Sequence, residues 1–90
     1  MTKSFDKTIK ALNNGAYNVL FHNKQYLLRK QTRLDGKLIK LYAQELGGND
    51  FISLNYYPTI KDGLLKPCEM PKAKVIEFVL QSQPATDNIL

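Results

Sequence analysis

Between Ala16 and Pro58 the chain alternates apolar and polar residues, and this period of two constrains its fold more than any other feature. Alternation rich in Tyr, Phe, Val, Leu and Ile marks strands with one buried and one wet face. Asp35-Gly36 interrupts the pattern with residue types that suit a type I′ hairpin turn. Closing a hairpin there sets Arg33 against Leu38, Gln31 against Lys40 and Arg29 against Tyr42. The intervening pairs are Thr32 with Ile39, Lys30 with Leu41 and Leu28 with Ala43. One face then carries Tyr26, Leu28, Thr32, Leu34, Ile39, Leu41 and Ala43, with Lys30 turned the same way. The opposite face carries Leu27, Arg29, Gln31, Arg33, Leu38, Lys40, Tyr42 and Gln44.

Two further turns extend the sheet. A tight turn at Asn23-Lys24 sets Phe21 against Tyr26 and Val19 against Leu28, so Tyr17, Val19 and Phe21 join the apolar face. A loop at Gly47-Gly48-Asn49-Asp50 sets Ala43 against Leu54 and Leu41 against Tyr56, adding Ile52, Leu54 and Tyr56. Three separately placed turns agree on one core face, the internal consistency expected of a foldable sequence. The flanking segments are helical. Phe5, Ile9 and Leu12 recur at helical spacing behind a candidate cap at Ser4, with Asn13-Asn14-Gly15 as the stop. Pro71 suits a first helical position, and Ala73, Val75, Ile76, Val79 and Leu80 form the second stripe, with Phe78 beside it. The expected fold is two-layer α+β: helix, four-stranded antiparallel meander, helix, both helices on one sheet face. Positions 1–83 form one domain and 84–90 a frayed tail.

Charge is concentrated. The chain has 13 Lys and Arg against 8 Asp and Glu, a net +5. Lys24, Arg29, Lys30, Arg33, Lys37 and Lys40 face only Asp35 in their window, which therefore holds the whole excess. A single cysteine permits no internal disulfide, so a reducing cytoplasm is the expected compartment. No apolar run is long enough for a membrane span, and the first residues show no apolar signal block.

The uncovered face supplies the candidate site. Arg29, Arg33, Lys40, Tyr42, Asn55 and Tyr57 place cations beside aromatic rings, a pairing suited to nucleic acid or another polyanion. Arg29 neighbours Tyr42, and Lys40 neighbours Tyr57 in this register. Leu20, Leu27, Leu38, Leu46 and Phe51 on the same face suit an interface with a second copy or another protein. Both partners remain open at this point. His22, the single histidine, is a candidate general base for a small ribonuclease, with Arg29 as a phosphate holder. The simpler role is a solvated turn residue. Cys68, before the second helix, is a candidate reactive thiol, against the simpler role of a small buried anchor. One His and one Cys far apart give no metal-ligand spacing, and no cofactor motif is present. Gly47-Gly48 lacks the ending of a phosphate loop.

The runs Leu46-Gly47-Gly48-Asn49-Asp50-Phe51-Ile52-Ser53-Leu54-Asn55-Tyr56-Tyr57 and Leu64-Leu65-Lys66-Pro67-Cys68-Glu69-Met70-Pro71 resemble small uncharacterised proteins of Gram-positive bacteria. Some of those are labelled peptide methionine sulfoxide reductase. The resemblance covers most of the chain and implies no catalytic residue. The A-type reductases carry a Gly-Cys-Phe-Trp segment where this chain reads Pro67-Cys68-Glu69, and the paired CxxC motifs of the B type are absent.

Overall fold

The computed structural model describes residues 2–85. Helix α1 (Lys3–Ala11) leads into strands β1 (Gly15–Phe21), β2 (Lys24–Arg33), β3 (Leu38–Glu45) and β4 (Phe51–Tyr57). Strand β5 (Leu64–Pro67), helix α2 (Lys72–Gln81) and strand β6 (Gln83–Pro84) follow. The six strands form one antiparallel sheet in the order β5-β4-β3-β2-β1-β6. The α+β class, the antiparallel sheet and the two helices stand, but the sheet has six strands rather than four. Both additions are short edge strands containing proline, which period-two reading cannot separate from loop. Gln83–Pro84 pairs with Leu20 and Val19, and Ala85 donates its N–H to the Asn18 carbonyl, so the order of the fold reaches into the segment expected as a tail. Positions 86–90 of that tail lie outside the described residues.

The central β2–β3 register agrees pair for pair with the one read from the sequence, from Leu28 opposite Ala43 to Arg33 opposite Leu38. The turn itself has four residues, Leu34–Lys37. Leu34, Asp35 and Gly36 all have positive φ, and Gly36 N–H bonds the Arg33 carbonyl. The two outer registers slide by two. The β1–β2 turn lies at His22-Asn23, both left-handed at φ 52° and 64°, so Val19 faces Tyr26 rather than Leu28. Ala43 faces Ile52 rather than Leu54. A slip of two leaves every side chain on its own face, which is why the core assignment survives.

One core face results. Val19, Tyr26, Leu28, Ile39, Leu41, Ala43, Ile52, Leu54, Tyr56 and Leu65 are buried against Phe5 and Ile9 of α1 and Val75, Phe78 and Val79 of α2. Both helices therefore cover the same side. The α2 stripe is rotated from expectation: Phe78 is fully buried, whereas Ala73 and Leu80 are exposed. Phe78 packs at 5.0 Å from Phe21 and 5.1 Å from Tyr26, ring to ring, and this aromatic cluster sets the rotation. Helix α1 starts two residues early. Its cap is Thr2, whose hydroxyl accepts from Phe5 N–H at 3.2 Å, in place of Ser4, and its C-cap Leu12 is extended. Pro71 is the N-cap of α2 instead of its first residue.

Polar side chains fasten the helices over the core. Lys30 is buried in β2, and its ammonium donates to the carbonyl of Lys10 at 3.2 Å and to that of Leu12. A cation there satisfies orphan carbonyls and opposes the negative end of the helix dipole. Tyr56 Oη donates to Asp6 of α1 at 2.6 Å, and Tyr26 Oη donates to Asp50 at 2.7 Å. Lys74 of α2 donates to the other Asp50 oxygen at 2.6 Å. Two core tyrosines thus each end on a carboxylate at the rim of the sheet.

Candidate functional site

Among the described residues no element covers the face opposite the helices, and its residues fall into rows across the strands. Gln31, Lys40, Asn55 and Lys66 are successive partners from β2 to β5. The next row is Arg29, Tyr42 and Ser53, extended by the Cys68 N–H donating to the Ser53 carbonyl at 2.9 Å. A shallow hollow of about 320 Å³ lies over these two rows, lined by Arg29, Gln31, Lys40, Tyr42, Ser53, Asn55 and Cys68. Four of the six residues expected at a polyanion site line it: Arg29, Lys40, Tyr42 and Asn55. Arg33 lies one row beyond, its guanidinium bonded to the Gln31 amide oxygen at 2.9 Å. Tyr57 is the sixth and is displaced. Lys40 faces Asn55, and Tyr57 faces Leu64 of β5, because the β3–β4 register differs by two from the expected one.

The charge of this face is one-sided. Its strand positions carry Arg29, Arg33, Lys40 and Lys66 and no carboxylate. The cation-rich window divides between the two sides of the sheet. Lys24 pairs with Glu45 at 3.8 Å, and Lys30 is committed to α1. Asp6 and Asp50 belong to the helix side or its rim, where Lys10 and Lys74 neutralise them. Hydrogen bonds from Tyr56 and Lys10 hold the Asp6 carboxyl below its ordinary pKa. For Asp50, burial pushes upward, but the bonds from Lys74 and Tyr26 outweigh it and its pKa is also lowered. Both carboxylates stay ionised where they are, leaving the open face to its cations.

The expected interface residues are separated. Leu20, Leu27, Leu46 and Phe51 lie toward the end of the sheet that carries the 46–50 loop, and Leu38 lies at the opposite end near Tyr57 and Leu64. The polar rows run between them, so the five do not make one apolar patch. Phe51 and Leu46 are exposed, and Leu20, Leu27 and Leu38 are half-buried. Phe51 lies beside Tyr42, with ring centroids 6.3 Å apart and planes 30° from parallel.

His22 is at the β1–β2 turn on the far side of the molecule from the hollow. Its Nε2 is 3.3 Å from Glu77 Oε2 and 3.4 Å from Gln81 Oε1, both on α2. A carboxylate neighbour that the strand register does not supply therefore comes from the second helix. Arg29 is five positions along β2 from the strand's first residue, about 17 Å at the strand rise, and cannot hold a phosphate beside His22. Cys68 is exposed rather than a buried anchor, because it follows β5 with the parity of Leu64 and Lys66, which face outward. Among the described residues no group of His, Cys, Asp and Glu could hold a metal ion, and no helix is long and apolar enough to cross a membrane. Lys66, Gln31 and Ser53 are the site residues that sequence reasoning left out. The signal for Lys66 was the short alternation Leu64-Leu65-Lys66, with Leu65 alone buried. No family model matches the chain, and no curated protein or solved structure is significantly similar to it.

Proposed function

We propose that this protein is a non-catalytic module that binds nucleic acid through the open face of its sheet. One observation carries the reading: among the described residues, the strand positions of that face carry four cations and no carboxylate, around a shallow hollow. Fixed like charges on one surface raise the local concentration of a polyanion and steer its approach. Arg and Lys bind phosphate oxygens, and neighbouring amides and hydroxyls add hydrogen bonds to sugars and bases. Tyr42, alongside Arg29, supplies an aromatic surface of the kind on which bases stack.

A second copy of the chain fits this face less well. Stable interfaces have an apolar, charge-depleted centre and a polar rim, and here the order is reversed, with cations central and leucines at the ends. The test is a titration of fluorescent RNA and DNA oligonucleotides at several salt concentrations. Affinity falls steeply with salt in wild type and is lost when Arg29, Arg33 and Lys40 are replaced together by Ala, with the fold retained. Unchanged affinity in the triple variant sinks the proposal. Light scattering reads a monomer at high protein concentration, and a dimer abolished by Leu27→Lys would favour the interface instead.

A further inference from the structure

Resting on the nucleic-acid reading above, we infer that the ligand is a single strand lying across the β-strands, its phosphates along Arg29, Lys40 and Lys66 and its bases on Tyr42 and Phe51. The placement of the cations sets the track. Lys40 on β3 and Lys66 on β5 share one row across the sheet, and Arg29 on β2 stands one row away, so the track through them crosses the strands obliquely. That track crosses three strand intervals, about 14 Å at the usual spacing. The aromatic pair lies to one side of it. Tyr42 is 41% and Phe51 38% exposed, and they stand on adjacent strands with rings inclined by only 30°. Every other Phe in the described residues is buried or packed against the core, so Phe51 is the one held out toward solvent.

A duplex can use only the cations of this arrangement and leaves the rings idle. Its bases are stacked and paired inside, and a flat sheet enters neither groove as a helix or two-stranded ribbon does. An unpaired strand can place phosphates on the cations and turn successive bases onto the two rings, which is how sheet surfaces engage single-stranded RNA. Ser53 stands beside Tyr42, and Asn55 stands between Lys40 and Lys66; their hydroxyl and amide line the hollow and can bond base edges or a ribose hydroxyl.

The experiment compares three probes of equal length by fluorescence anisotropy: single-stranded RNA, the same sequence as a duplex, and an abasic strand with the same phosphates. Wild type binds the single strand at least tenfold more tightly than the duplex. Tyr42→Ala and Phe51→Ala each weaken the base-bearing strand by about 5- to 150-fold, the range for loss of one stacked base, and leave the abasic strand unchanged. Lys66→Ala lowers the salt dependence for the single strand and the abasic strand alike, by about 0.7 in slope. All three side chains are exposed or stand on the open face, and circular dichroism confirms the fold. Equal binding of single strand and abasic strand, with the ring variants silent, overturns this inference and leaves phosphate binding standing. Tighter binding of the duplex overturns it too. No binding of any probe defeats the nucleic-acid reading and this inference together.

Discussion

Lys30→Met removes a buried ammonium and tests whether it anchors helix α1. The native side chain is 3% exposed and donates to two carbonyls at the end of α1, those of Lys10 and Leu12. A hydrogen bond to a charged group contributes about 1.5–3 kcal/mol, and the cation at the helix C-terminus adds about 0.3–1 kcal/mol. Against this, methionine relieves the burial of a charge, which lowers the Lys30 pKa in the folded chain, and fills the space with apolar atoms. The carbonyls regain some water, since Lys10 is exposed and Leu12 half-buried. The expected net loss is about 2 kcal/mol, read as a shift of the urea midpoint with an unchanged slope. In a domain of this size that corresponds to about 8–16 °C in Tm. Amide exchange in α1 should accelerate more than in β3. The difference should also widen at alkaline pH. A Lys with a lowered folded pKa sheds its unfavourable charge before the unfolded chain does, so wild type gains on the variant as pH rises toward about 10.4. A Met variant as stable as wild type, with α1 exchange unchanged, would refute the anchoring role and show that relief of charge burial dominates.

Other substitutions probe the rim and the far side. Gly63→Ala should destabilise by about 2 kcal/mol or more, because Gly63 has φ 98° and an added Cβ would collide with the Tyr56 hydroxyl; thermal melts check this. Asp6 and Asp50 have lowered pKa values, so their contribution is complete above the ordinary carboxylate range and disappears as pH falls through their folded values. Tyr56→Phe and Lys74→Met should each flatten the acid limb of a stability–pH curve. His22→Ala should leave RNA affinity and RNA integrity unchanged, since His22 meets Glu77 and Gln81 away from the hollow. Cleavage of RNA by wild type and not by this variant would make the protein a ribonuclease.

Much of this was legible because a strand has only two faces. Asp35-Gly36 pinned the central hairpin, and errors of two residues at the other turns cost no face assignment. Neighbours across strands were less legible: the slip moved Lys40 from Tyr57 to Asn55. Phe78 was misplaced because its burial follows from Phe21 and Tyr26, distant in sequence, rather than from the α2 stripe alone. The Glu77 neighbour of His22 and the Lys66 of β5 depend on how α2 and the 58–63 segment return to the sheet, which no local pattern encodes.

The central claim is that the four cations at the strand positions of the open face contact phosphates, and the slope of log affinity against log salt for a single-stranded oligonucleotide tests it most directly. With Arg29, Arg33, Lys40 and Lys66 each neutralising one phosphate, the slope should be about −3. Each Ala substitution among them should make it shallower by about 0.7. A slope near zero, or a wild-type slope retained after Arg29 and Lys40 are both replaced, would contradict the account.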